Sequence, residues 1–170
     1  LIKPSFKIIE QQPGLEGLYK QIEMAGRTCY KSEDKITEDS AKEFVDRMIK
    51  SGHGAMLEHG TVYLYYTDRS TIQKDTIFPH WKYQHNKYSK CTTISMQGTS
   101  CSGNPAPVEF YITTNLRVLV ENGWLDDLKY LCEPTEYHER RITVKFICDR
   151  GVSHEFVRHR VFSFAQESTR

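Results

Sequence analysis

Thirteen residues, Arg158 to Arg170, constrain this protein more than any other stretch. They set three cations in a row, then Val161, Phe162 and Phe164, then small polar residues and a final Arg. The apolar side chains have to pack, so the segment is expected to lie against a folded body and not to trail as a free tail. Arg158, Arg160 and Arg170 keep their charge at working pH, and each presents a planar fork of donors. Such forks take phosphates and carboxylates bidentately. Ser163, Ser168 and Thr169 add hydroxyls, and Gln166 adds an amide that can read a base edge. This is donor chemistry for one large anionic ligand or for two ligands side by side. The plain alternative is a solvated basic helix end or an unspecific nucleic-acid patch. The interleaved Val161, Phe162 and Phe164 weigh against it.

The rest of the sequence is consistent with one compact body. A length of 170 residues fits a single domain, 1–170, with a buried core. The formal net charge is +1, so no whole-molecule field draws the protein to nucleic acid or membrane, and the positive charge at the end is local. Ten Tyr and eight Phe suit a packed domain that also holds flat ligands. No apolar run reaches membrane-spanning length and no signal pattern opens the sequence, which predicts a soluble, cytoplasmic protein without membrane partners. The five cysteines are odd in number and contain no Cys-x-x-Cys pair, so reduced thiols are expected in place of a disulfide framework or zinc ribbon. Cys91 and Cys101 flank a Ser/Thr/Gly-rich stretch, and without an activating base neither reads as catalytic.

Periodicity predicts an α+β protein with a mixed or antiparallel sheet and flanking helices. Phe6 to Glu10 reads as a strand, and a helix follows from about Leu15 with Leu18 and Ile22 on its apolar face. Thr37 reads as the N-cap of a second helix through Ile49, with Glu38 and Asp39 in its first turn and Gly52 at its end. Thr61 to Tyr66 is β-branched and aromatic, hence a strand. From Thr67 to about Pro107 the periodicity dissolves; the basic-aromatic stretch His80 to Tyr88 has a composition able to stack nucleobases but is more often a surface loop. Pro107 to Ile112 reads as a strand, Thr113 or Thr114 as a cap for a helix ended by Asn122-Gly123, and Trp124 to Cys132 as a further helix. Arg141 to Cys148 alternates as a strand with half-buried faces. Asp149 to Gly151 reads as a turn, and Val152 to His159 as the helix that delivers Arg158 and His159.

His53 and His59 with Glu58 invite a metal reading. The spacing is not His-Glu-x-x-His, however, and the two imidazoles would not share a helix face, so no metal site is predicted. No Ser-His-Asp elbow, Walker loop or Gly-x-Gly-x-x-Gly is present. Arg forks would therefore have to replace the usual phosphate cradle.

The spacing Arg-His-Arg, two residues, Ser, aromatic, one residue, Gln, one residue, Ser, one residue, Arg closely resembles the signature of the flavin-dependent thymidylate synthase (ThyX) family, with eight of thirteen positions constrained at once. Gly26 to Ser32 resembles that family's first patch, where a helix end and loop approach the flavin. The resemblance implies a ThyX-like fold with an insertion at about 67–140, before the signature, and a sequence that is C-terminally incomplete relative to the family. It implies reductive methylation of dUMP to dTMP, with methylenetetrahydrofolate as carbon donor and NADPH reducing bound FAD, in a homotetramer with shared sites. By position, Arg158, Ser168 and Arg170 would hold the dUMP phosphate and sugar. Gln166 and Glu167 would line the uracil and flavin contact, and Arg158 would also reach the flavin. His159 and Arg160 would bind FAD from a neighbouring subunit. His59 would be a flavin-side residue, and Thr61 would lie near a flavin phosphate. Glu155 stands where many members have Gln and would also face dUMP. Ser168 lacks a base in reach, so it reads as a nucleotide ligand; no residue is assigned as nucleophile or general base. The rival reading is a non-enzymatic nucleotide- or RNA-binding module, or an interaction domain, using the same cationic segment.

Overall fold

The structure is a computed structural model that describes residues 3–68, 79–95, 107–159 and 161–167. It is an α+β protein with antiparallel sheets and flanking helices. The molecule divides into two compact units, Leu1–Thr61 with Arg141–Arg170, and Val62–Arg140. The segment 67–140, expected as an insertion, falls inside the second unit.

In the first unit, strand β1 (Ser5–Ile9) pairs antiparallel with β5 (Thr143–Ile147), with Lys7 opposite Lys145. Helix α1 (Gly14–Tyr30) and α2 (Ser40–Lys50) pack together through Leu18, Ile22 and Ala25 on one and Ala41, Phe44, Val45 and Met48 on the other, all buried. These are the apolar positions at helical spacing. The short α3 (Gly54–Leu57) adds Met56 and Leu57 to the same core. Close approach requires glycine at two points. A Cβ at Gly26 would stand 2.4 Å from Cζ of Phe44, and one at Gly60 would stand 2.5 Å from Cδ1 of Ile22.

Three expectations in this unit are corrected. Thr37 does not cap α2. Its backbone N–H donates to the Ser40 hydroxyl at 2.9 Å, and the helix starts at Ser40, behind Asp39. The Ser40 hydroxyl serves Thr37 and the buried Glu23 together, and the start lies two residues on. The strand at 141–148 is not half-buried on alternate faces; Thr143 and Val144 are half-buried, and Lys145, Phe146 and Ile147 are exposed. Its sheet has only two strands among the described residues, so alternation has no layer to record it. Helix α6 (Arg150–Val157) begins two residues earlier than expected, because the Asp149 carboxylate accepts from the Gly151 N–H at 2.7 Å and caps it.

The second unit is built on a three-stranded sheet of order β2-β4-β3, from β2 (Thr61–Asp68), β4 (Val108–Asn115) and β3 (Lys90–Ser95). β3 runs antiparallel to β4, with Thr92 opposite Tyr111. The outer edge of β2 is partly covered: Leu64 bridges Leu131, and the Cys132 N–H donates to the Tyr63 carbonyl at 2.9 Å. Val62, Leu64, Ile112, Leu116 and Leu119 are buried. The stretch from Thr67 to Pro107 carries more regular structure than its composition implies, since it holds α4 (Pro79–Gln84) and β3. Both are short, and neither has a period long enough to detect. The cap of α5 (Leu116–Asn122) is Asn115, accepting from the Val118 N–H at 3.0 Å. Thr113 and Thr114 are buried strand residues instead, because pairing with β3 keeps β4 extended to its end. The expected helix from Trp124 is a six-residue 3-10 turn, Leu125–Tyr130.

No helix among the described residues is long and apolar enough to cross a membrane.

Candidate functional site

The described part of the terminal segment, 161–167, is held by four attachments within the first unit. The Ser163 hydroxyl donates to Oε2 of Glu58 at 2.6 Å. The Phe164 backbone hydrogen-bonds the imidazole of His59. Gln166 Nε2 donates to the Ser153 hydroxyl at 2.9 Å, which reaches back to α6. Glu167 pairs with Nζ of Lys31 at 2.9 Å. Lys31 ends α1 in the left-handed region at φ 50°, and the Ser32 N–H returns to the Arg27 carbonyl at 3.0 Å. The C-terminal turn of α1 is thereby tied to segment 161–167.

His59 follows directly from the α3 turn and is half-buried. Burial pushes its pKa below the ordinary value, opposed by the Phe164 backbone and the Glu58 carboxylate. Its Nε2 is buried with no hydrogen-bond partner among the described residues. A neutral imidazole with one unused nitrogen is an invitation to a polar ligand atom. Thr61 is buried at the start of β2, and Gln11 brackets its backbone. The Thr61 N–H donates to Oε1 of Gln11 at 2.9 Å, and Nε2 of Gln11 donates to the Thr61 carbonyl at 2.8 Å.

Glu155, Arg158 and His159 are exposed at the end of α6. Nη1 of Arg158 meets both oxygens of Glu155, at 3.0 and 3.2 Å. An open hollow of about 370 Å3 is lined by Gly151, Val152, Glu155, Phe156 and His159. Gln166 and Glu167 are exposed. Arg160, Ser168 and Arg170 lie outside the described residues, as does Cys101. Sequence reasoning carried forward His59 and the stretch that holds Lys31 but not Glu58, and it missed Ser153 and Gln11. The Glu-His pair ahead of a strand was a usable signal for Glu58; nothing local points to the others.

Two other chemistry-bearing groups resolve as structural. Sγ of Cys132 is 3.8 Å from Nε2 of His138, the outline of a thiol-imidazole pair. The Thr135 N–H donates to Nδ1 of His138 at 3.1 Å, so the ring proton sits on Nε2, which faces the Leu64 carbonyl at 3.2 Å. Neither nitrogen is left to take a proton from sulfur, and burial pushes the Cys132 thiol up. In the stretch 80–88, Tyr83 is fully buried, its hydroxyl donating to Oδ2 of Asp127 at 2.6 Å, and Lys82 pairs with the same carboxylate. Trp81 and Tyr88 alone keep large exposed apolar faces there. Among the described residues no group of His, Cys, Asp and Glu is arranged to hold a metal ion.

No protein-family model matches the sequence, and neither a curated protein nor a solved structure matches it.

Proposed function

We propose that this protein is a flavin-dependent thymidylate synthase sequence, acting on dUMP with methylenetetrahydrofolate and NADPH as co-substrates and FAD as cofactor, in a ThyX-like fold assembled as a homotetramer in the cytoplasm. The observation that carries the reading is the attachment of segment 161–167 to Glu58, His59 and Lys31. Those partners belong to the Glu-His pair and the α1-end patch, the two other stretches that bear the family resemblance. Bonds between residues distant in sequence thus join the described part of the signature, 161–167, to its companion stretches, which supports the reading.

The residues present suit a flavin. His59 offers a buried, unsatisfied Nε2, and a half-buried neutral ring adds no charge beside an electron-rich heterocycle. Among the described residues Arg158 is tied only to Glu155 of its own helix, at an exposed position where such a pair contributes little. Exchanging that carboxylate for a phosphate therefore costs little. On this reading Arg158, with Ser168 and Arg170, holds the dUMP phosphate and sugar. Gln166 and Glu167 line the uracil side, with Glu155 beside it. His59, Thr61, His159, Arg160 and the second edge of Arg158 serve FAD. FAD, when bound, supplies the hydride. The protein's own part is to orient flat ligands and to stabilise charge developing on the uracil ring with guanidinium groups.

The deciding experiment is purification of the full-length protein with added FAD, followed by absorbance spectroscopy. A yellow protein whose flavin bands bleach with NADPH supports the reading. Folded, colourless protein that fails to take up FAD overturns it; if that protein instead binds RNA with a steep salt dependence, the nucleic-acid module replaces it.

A further inference from the structure

An open cleft of about 500 Å3 lies in the first unit at the C-terminal turns of α1 and α2, lined chiefly by Arg27, Tyr30, Ser32, Lys35, Phe44 and Arg47. Three of these are cations. Arg27 spends Nε and Nη2 on Oε1 of Glu23, each at 3.1 Å. Among the described residues neither Lys35 nor Arg47 forms an ion pair. The cleft therefore presents two cations that form no ion pair among the described residues, in a protein whose formal net charge is +1.

The cations are positioned by the core beneath them. Phe44 is buried, and Cζ of Arg27 and Cζ of Arg47 stand 4.9 and 5.6 Å from its ring centroid. The ring keeps its place because residue 26 is glycine; a Cβ there would overlap it. Two guanidinium groups are thus anchored to one buried aromatic, which lowers the entropy lost when they grip an anion. Tyr30 is 49% exposed, and its hydroxyl is held 3.1 Å from Nδ1 of His53. Ser32 adds a hydroxyl at the rim.

The geometry points to a phosphomonoester site in this cleft, with Arg47 and Lys35 neutralising the dianion and Tyr30 stacking a flat ring that bears it. A dianion matches two free cations better than a carboxylate does, and the volume is within the range of small-ligand sites. Tyr30 and Ser32 fall in the Gly26–Ser32 stretch that bears the family resemblance, but Arg47 and Lys35 lie outside every stretch that the proposed function uses, so substitutions at those two residues separate this inference from it.

The test is calorimetric titration of the full-length protein with phenyl phosphate and with inorganic phosphate at two chloride concentrations. Saturable binding is expected, tighter for phenyl phosphate. Arg47→Gln and Lys35→Gln should each weaken it by about tenfold, the loss of one charge-assisted contact. Tyr30→Leu should erase the preference for the aryl ester. Lys42→Gln, on the exposed face of α2, should leave binding unchanged. Absence of saturable binding overturns the proposal. So does weakening by Arg158→Ala but not by Arg47→Gln, or an equal effect of Lys42→Gln, which would indicate charge alone. Because Arg47 and Lys35 are both exposed, circular dichroism of their variants should be unchanged.

Discussion

The Ser163 hydroxyl donates to Oε2 of Glu58 across 2.6 Å, although 105 positions separate the two residues. The bond fastens the cationic segment to the turn that presents His59. A hydroxyl donor to a carboxylate is among the stronger neutral-charged bonds, and here its value is local. Glu58→Ala is expected to raise hydrogen exchange at amides 161–167 by about fivefold, the effect of about 1 kcal/mol on local opening. Unchanged protection in that segment would show that Gln166 and Glu167 hold it unaided.

Among the described residues of the first unit, Arg27 and Glu23 form the ion pair with the least solvent, and the Ser40 hydroxyl donates to the same carboxylate at 2.9 Å. Arg27→Met leaves that carboxylate buried with one neutral partner. A loss of about 3–5 kcal/mol is expected in urea melts, with much of it recovered in Arg27→Met/Glu23→Leu, since removing both charges removes the desolvation penalty. Additive losses in the double variant would refute this account.

Gly26→Ala tests the seat of Phe44. The new methyl would overlap the ring tip, so a loss of about 1–3 kcal/mol is expected from overpacking. A neutral or stabilising result, the usual outcome of Gly→Ala in a helix, would mean the ring moves freely.

Burial holds the pKa of His138 below the ordinary 6.5, against a backbone bond to Leu64. The unfolded state therefore takes up its proton first as pH falls. The contribution of the neutral ring to stability is complete above about pH 6.5 and is lost progressively as pH drops from there through the folded value. His59 acts with the same sign in the other unit. Urea midpoints measured from neutral to mildly acid pH should fall, and His138→Gln should flatten part of that slope; a midpoint that rises on acidification contradicts it.

On the proposed function, Arg158→Ala should weaken dUMP binding by about tenfold to a hundredfold while leaving the melting temperature unchanged, because the exposed pair with Glu155 stabilises little. Lys87→Ala should change neither dUMP binding nor the melting temperature; its Nζ lies over the Tyr88 ring at 4.7 Å on an exposed stretch. Equal effects of the two substitutions in a dUMP titration would remove Arg158 from the site.

Long periodic segments were legible from sequence. α1, α2, β2 and β5 lie within a few residues of their expected places, since an apolar stripe at 3.6 or a β-branched run defines the element before any partner is known. Caps were not. Asp39 and Asn115 stand at the N-caps in place of Thr37 and of Thr113 or Thr114, because the Ser40 hydroxyl ties Thr37 and Glu23 together and pairing with β3 holds Thr113 extended. α4 and β3 escaped notice because six residues of polar composition become a helix or a strand only when a sheet lies ready to receive them.

By itself the sequence determined the α+β class, the helical core of the first unit and the clustering of guanidinium groups at one end, because composition and spacing settle which faces avoid water and where charge accumulates. Tertiary structure alone decided which polar groups meet. Glu58 with Ser163, Lys31 with Glu167, and Arg47 without a carboxylate among the described residues are matters of distance through space. The order of residues along a polypeptide does not encode that distance until the backbone has folded.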